Sequence, residues 1–224
     1  MFFGADPNQP GTLRFNLFRF PVSIHWSFWI LPIILGGGSG VDPVQQTRLI
    51  LVWVAVFFIS IIGHELGHAL AYRRYGGRAQ IIIHGMGGMA MSHGSYTRSQ
   101  KMIITISGPA VGFMMAALSY ILISIVNRET LNVYVNSFLL LMLLINSIWS
   151  ALNLLPILPL DGGQLLSHIM YEKKPVLRGK IGAITAAIAA LFLFKYNYIF
   201  AAIMFGFLAY QNFQAAERAR KGYW

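Results

Sequence analysis

The feature that most constrains this chain is a series of long apolar runs that follow one another along most of its length. Hydrophobic residues make up 56% of the 224 residues and charged residues only 11%. A helix of about 20 apolar residues crosses the hydrocarbon core of a bilayer. Because lipid offers no hydrogen bonds, such a segment must satisfy its own backbone, and helices do this. The sequence therefore predicts an all-α polytopic membrane protein with about six transmembrane helices.

Charge decides how the last apolar stretch is divided. The predicted spans are Phe20 to Leu35, Thr47 to Tyr72, Met102 to Val126, Val135 to Asn153, and two within Ile181 to Phe213 that meet in a hairpin at Lys195-Tyr196-Asn197. With six spans and both termini in the cytoplasm, all but three of the 17 Lys and Arg residues lie on the cytoplasmic side, as the positive-inside rule requires. We therefore expect one membrane domain over residues 1–224, with a cytoplasmic segment at 1–19, a membrane core at 20–215 and a cytoplasmic tail at 216–224.

Two short stretches have the pattern of strands rather than helices. Gln80 to Ser92 combines three β-branched residues with a run rich in Gly and Met, and it is too short and too broken to span a membrane. We predict a small membrane-associated β-hairpin or sheet there. Thr12 to Leu17 alternates polar and apolar residues, which fits either a strand or a short interfacial segment.

The second span contains the sequence GHELGH near its C-terminal end. Histidines four residues apart on a helix, here His64 and His68, project from one face and can reach a single metal ion. Glu65 is placed to take a proton from a water bound to that metal. An ionisable residue inside an apolar span is costly, so a functional site is the default hypothesis.

The third ligand is open to several residues. The chain has no cysteine, so a metal must be bound by His, Asp or Glu. The candidates are Asp161, His25, His84, His93, His168 and Glu129. Glu129 lies at the outer end of its span, whereas Asp161 follows the fourth span at the inner side, where the GHELGH turn also lies. By depth, Asp161 is the best choice.

At this point the sequence resembles a known family. GHELGH in one span, followed at a distance by Asn153-Leu154-Leu155-Pro156-Ile157-Leu158-Pro159-Leu160-Asp161-Gly162-Gly163, is similar to the HExxH and NxxPxxPLDG pattern of the site-2 proteases, the intramembrane zinc metalloproteases of peptidase family M50. Ser107-Gly108-Pro109 also looks like an element of that family. The resemblance implies one catalytic zinc ion bound by His64, His68 and Asp161, with Glu65 as the general base.

The resemblance also implies roles outside the ligand set. Asn153 would orient substrate or stabilise the oxyanion; the alternative is a hydrogen bond between helices.

The Gln80 to Met91 stretch would bind an unwound substrate by strand addition, with Ile82, Ile83, Gly87 and Gly88 as candidate contacts. The alternative is a passive re-entrant loop. His25 would be a gate or an alternative ligand near the metal; the alternative is a histidine whose ring is satisfied by a structural hydrogen bond.

The expected activity is hydrolysis of peptide bonds in or near transmembrane segments. The resemblance suggests membrane-protein substrates such as anti-sigma factors or membrane-bound pro-transcription factors. With no PDZ or CBS domain, the sequence looks like a minimal prokaryotic form, placed in the cell membrane with its active site toward the cytoplasm.

Two other functions fit parts of the sequence. An intramembrane zinc transporter or channel would also use buried His, Glu and Asp, but nothing in the sequence indicates the paired broken helices of an inverted repeat. A protease of prenylated proteins would need a late membrane Glu, and Glu172 and Glu217 lie in basic loops. The net charge of +10 is explained by cytoplasmic loops, so no nucleic acid is expected.

Overall fold

The structure is a computed structural model in which residues 10–37, 42–85, 87–126, 131–170 and 173–222 are described. The elements in chain order are β1 Thr12–Leu17, β2 Phe20–His25, a 3₁₀ helix Trp26–Trp29, α1 Ile30–Gly36, α2 Pro43–Arg74, β3 Arg78–His84, β4 Gly87–His93, α3 Arg98–Ile125, α4 Val133–Asn153, α5 Asp161–Ile169, α6 Pro175–Lys195 and α7 Ile199–Arg220. They form two compact units. The first comprises Met1–Ser95 with Ser107–Ser150, and the second Tyr96–Ile106 with Ala151–Trp224.

Five of the described helices are long and apolar enough to cross a membrane: α2, α3, α4, α6 and α7. The chain is thus a multi-pass membrane protein with a small sheet, and the predicted fold class is confirmed. Large apolar side chains remain exposed along these helices, including Leu51, Met114 and Phe200. In a membrane such faces contact lipid, which is why their exposure carries no cost there.

The first predicted span, Phe20 to Leu35, is wrong as a helix. Its first part is β2, and an apolar helix follows only over Trp26–Gly36. These 11 residues rise about 17 Å, well short of a hydrocarbon core of about 30 Å. Apolar residues alone do not distinguish a buried strand from a buried helix.

The sheet has four strands in the order β1-β2-β3-β4. β1 and β2 are antiparallel, β2 and β3 are parallel, and β3 and β4 form an antiparallel hairpin. Val22, Ile24, Ile81 and Ile83 are buried in one core with apolar residues of α2. The predicted hairpin is confirmed, and Thr12–Leu17 is a strand.

The segment from Phe20 to Gly36 runs beside α2 along most of its apolar length. At one end, Arg73 donates a hydrogen bond to the carbonyl of Phe18 at 3.0 Å, and its guanidinium lies 4.7 Å from the ring centroid of Phe20. At the other end, Gly36 packs so closely on Ile50 that an added Cβ would lie 2.8 Å from its Cα. Ile50 and Arg73 are about 35 Å apart along a helix. A strand rises more than twice as far per residue as a helix, so this short segment covers that distance.

A buried polar contact joins α2 to α4 in the first unit. Asn146 is 2% exposed and donates to the hydroxyl of Ser60 at 2.9 Å and to the carbonyl of Met142 at 2.8 Å. Hydrogen bonds of this kind hold membrane helices together where the hydrophobic effect cannot.

In the second unit, α6 and α7 form a helical hairpin. The turn contains Asn197 at φ 62°, a left-handed conformation that Asn tolerates. Ile157, Ala186 and Phe205 are buried together in the core of this unit. The stretch from Ile181 to Phe213 therefore forms two helices, as predicted.

Candidate metal centre

His64, Glu65 and His68 lie in the C-terminal half of α2 and are buried, with exposed fractions of 4%, 5% and 8%. The Nε2 atoms of the two histidines are 3.2 Å apart. Residues four apart lie one above the other on a helix, and here both rings direct the same nitrogen toward one point. This is the arrangement in which two imidazoles bind one ion.

Glycines allow α3 to approach this turn of α2. A Cβ at Gly67 would collide with the carbonyl oxygen of Ser107 and lie 3.0 Å from the Cα of Gly108. A Cβ at Gly108 would collide with Nε2 of His68 and lie 2.5 Å from its Cε1. The structure explains why a glycine stands at position 108. The Ser107-Gly108-Pro109 segment lies directly against the imidazole of His68, and any side chain at 108 would occupy the space of the ring.

β4 approaches the same turn at Gly88. A Cβ at Gly88 would lie 2.5 Å from both Cγ and Oε1 of Glu65. The glycine therefore lets the backbone of β4 lie against the carboxylate of Glu65.

In the second unit, Asp161 is the first residue of α5 and is 8% exposed. The next two residues are buried glycines: a Cβ at Gly162 would collide with the carbonyl of Leu154, and one at Gly163 would lie 2.5 Å from the carbonyl carbon of Ile157.

Arg98 contacts the C-terminal end of α5, where its guanidinium donates to the carbonyls of His168 and Ile169 at 2.8 and 2.9 Å. A cation at a helix C-terminus is favourable because it meets the unpaired carbonyls.

His64, His68 and Asp161 form a group that could bind a metal ion. One ligand atom from each lies within 4.8 Å of the others, and it is the one such group of three or more His, Cys, Asp or Glu among the described residues. Two imidazole nitrogens and one carboxylate oxygen are donors that zinc accepts, and three protein ligands leave a fourth position open for catalysis. The donor set therefore fits zinc.

The other predicted site residues lie at different places. Ile82 and Ile83 are buried in β3, an inner strand, whereas Gly87 and Gly88 belong to β4. His25 ends β2, and its Nδ1 lies 2.7 Å from the hydroxyl of Ser27.

Asn153 is the last residue of α4 and is partly buried. Glu129, one of the candidate ligands, lies outside the described residues.

Sequence reasoning did not identify Asn146, Arg98 or Asn212 as structural partners. Asn212 is 1% exposed, and it bonds to the backbone of Leu158, close to Asp161. The available signal was an Asn within an apolar span, which is rare unless its amide is satisfied. Its partner could not be read from the sequence.

The chain is similar in sequence to known zinc metalloproteases and in fold to a solved site-2 protease. The sequence model of peptidase family M50 matches residues 122–194. The zinc metalloprotease MJ0392 of Methanocaldococcus jannaschii is 26% identical over 186 residues, which are 80% of this chain and 52% of that protein. The chain spans about half the length of the curated relatives that it matches. The solved structure of the site-2 protease from Methanocaldococcus jannaschii covers 92% of this chain and 94% of its own, with 24% identity and a TM-score of 0.57, and so shares the fold.

Proposed function

We propose that the chain is a zinc-dependent endopeptidase of peptidase family M50, the site-2 protease family, and the matched family model and the curated zinc metalloproteases support this. Its substrates are membrane proteins, which it cuts in or near a transmembrane segment. The observation that carries the proposal is the buried group of His64, His68 and Asp161 next to Glu65. A buried carboxylate beside two convergent imidazoles is costly in a membrane unless it serves a function.

His64, His68 and Asp161 would hold the zinc ion. When bound, zinc would supply Lewis-acid polarisation of the scissile carbonyl and lower the pKa of a water molecule. No cysteine is present to compete for the ion.

Glu65 is the proposed general base and then the general acid. Its carboxylate accepts a proton from the attacking water and returns that proton to the nitrogen of the leaving amine. Gly88 leaves Glu65 the room it needs, because any Cβ there would meet its Cγ and Oε1. Asn153 is the proposed donor to the oxyanion that develops at the carbonyl carbon.

The substrate is proposed to add to the sheet at β4. β4 is the last strand of the sheet in the part of the chain that the structure describes, and its Gly88 lies against Glu65. An unwound substrate paired along β4 would therefore lie beside the general base. Ile82 and Ile83 support this edge from β3 through the ladder that pairs them with Met89 and Gly88.

The termini and the catalytic turn are proposed to lie on the cytoplasmic side of a single membrane domain. Parallel pairing of β2 with β3 puts Phe20 beside Arg73 at the C-terminal end of α2. The segment from Phe20 to Gly36 runs back along α2 and so takes the place of the predicted first transmembrane helix. With the five long helices this makes six crossings, and an even number of crossings leaves both termini on the same side of the membrane. The basic residues near both ends support a cytoplasmic location for that side.

The experiment is cleavage of a single-span membrane protein by the purified chain, with the Glu65→Gln variant beside it. Gln has nearly the same shape and cannot accept the proton, so we expect a loss of at least a thousandfold in cleavage with zinc content unchanged. The matched control is Glu217→Gln, which removes a partly exposed carboxylate near the end of α7 and should cleave at the wild-type rate. Cleavage by the Glu65→Gln variant at a comparable rate would refute the assignment.

A further inference from the structure

The loop between α4 and α5 carries the proposed ligand Asp161 at its end, and its backbone groups need hydrogen-bond partners where they are shielded from water. Leu160 donates to the carbonyl of Ile157 at 2.8 Å, and Gly163 donates to the carbonyl of Leu160 at 3.0 Å. These local turns leave the N–H and C=O of Leu158, three residues before Asp161, to be satisfied from elsewhere.

A side chain of α7 pairs both groups of Leu158. Oδ1 of Asn212 accepts from the N–H of Leu158 at 3.1 Å, and Nδ2 donates to the C=O of Leu158 at 2.8 Å. Nδ2 also donates to the carbonyl of Leu208, one helical turn back, at 2.9 Å. The carboxamide thus binds the peptide as a neighbouring strand would, and both of its N–H groups are used.

α6 fixes this carboxamide from the other side. A Cβ at Gly182 would collide with Oδ1 of Asn212, and a Cβ at Gly179 would lie 2.8 Å from the Cβ of Ala216. The glycines let α6 and α7 approach so closely that Asn212 is 1% exposed. Its amide is held between Gly182 and Leu158, with little freedom to rotate.

We propose that Asn212 is a positioning residue for the metal site: it fixes Leu158 and thereby the place of Asp161. This inference rests on the proposed function, in which Asp161 is a zinc ligand. Residues that orient a ligand through hydrogen bonds govern metal affinity, and their loss typically weakens it by about 10- to 100-fold. α7 thus contributes to the centre although it carries no ligand.

Zinc affinity separates positioning from a general role in folding. The Asn212→Leu variant removes both hydrogen bonds to Leu158 while keeping the branching and the number of side-chain heavy atoms, and Gly182→Ala displaces the carboxamide without removing it. We expect each to bind zinc at least about tenfold more weakly, in competition with a chelator on purified full-length protein. The zinc concentration for half-maximal cleavage should rise by the same factor, with the maximal rate recovered at high zinc.

Two controls lie on α7. Gly206→Ala places a Cβ that meets no described atom within 4 Å apart from its chain neighbours and the nearby backbone of α7, and Gln214→Leu removes an exposed hydrogen bond to Tyr210. Both should bind zinc within twofold of wild type. The melting temperature without zinc, measured for every variant, shows how far each change affects the fold itself.

Wild-type zinc affinity in folded Asn212→Leu and Gly182→Ala protein would overturn the proposal. So would a failure of both variants to fold, because the contact would then serve the fold as a whole. The proposed function fails separately, if Glu65→Gln still cleaves substrate, and that result leaves the zinc affinities interpretable.

Discussion

Gly108 is the position at which a single methyl group tests the geometry of the site most directly. Alanine in place of a helical glycine ordinarily stabilises a helix by about 1 kcal/mol. At Gly108 the added Cβ would collide with Nε2 of His68 and lie 2.5 Å from Cε1 and 2.8 Å from Cδ2. Carbon atoms pack at about 3.5 to 4.0 Å, so the ring or the helix must move by about 1 Å.

The cost follows from that displacement. Overpacking of this kind costs about 1 to 3 kcal/mol, which cancels or exceeds the gain in helix propensity. Metal–ligand distances are acceptable within about 0.2 Å, so a shift of about 1 Å in one imidazole should weaken zinc binding at least tenfold, or about 1.4 kcal/mol. We therefore expect Gly108→Ala to lose zinc affinity without gaining stability.

The assay is chelator competition together with the melting temperature in the presence and absence of zinc. A tenfold weaker site loses about 1.4 kcal/mol of zinc-dependent stabilisation when zinc is in excess. Gly206→Ala is the matched control, since its added Cβ meets no described atom within 4 Å apart from its chain neighbours and the nearby backbone of α7. If Gly108→Ala bound zinc as wild type does and melted at a higher temperature, the contact between α3 and His68 would be refuted.

Two further predictions concern the sheet and the orientation in the membrane. Adjacent residues of a strand direct their N–H groups to opposite edges, so of Met89 and Ala90 one faces β3 and the other faces the free edge of β4. Proline at the residue that faces the free edge should keep the β3–β4 ladder and the melting temperature yet lose cleavage of substrate. Full activity of both Met89→Pro and Ala90→Pro would exclude strand addition at β4. Because the chain has no cysteine, a single cysteine can be introduced at Arg14, Gln45 or Lys221. Labelling with a membrane-impermeant maleimide then reports on which side of the membrane that residue lies. We expect Gln45→Cys to be labelled from outside intact cells and the other two only in inverted vesicles; labelling of Lys221→Cys from outside would contradict the six crossings.

The sequence predicted the elements whose signal is local. The long spans correspond to α2, α3, α4, α6 and α7, because a run of apolar residues is sufficient to indicate each. His64 and His68 are brought together by helical periodicity alone. The hairpin of β3 and β4 was also recognisable, from β-branched residues followed by glycines.

What the sequence could not indicate depends on contacts between distant segments. Phe20 to Leu35 is apolar enough for a helix, but its first six residues form β2, in which Ile24 lies opposite Ile83 of β3. The space for His68 comes from Gly108 on another helix, and the support of Leu158 from Asn212. The sequence alone does not indicate which distant residue a glycine or an asparagine in an apolar run will contact.

The parallel pairing of β2 with β3 also constrains how the protein is made. Ile24 leaves the ribosome well before its partner Ile83, and α2 is synthesised between them. Until β3 exists, one edge of β2 would expose unpaired backbone groups, each costing several kcal/mol in hydrocarbon. The segment Phe20 to Gly36 therefore cannot enter the bilayer in its final form before α2 and β3. The paired form of this segment is therefore completed only after α2 and β3 have been synthesised.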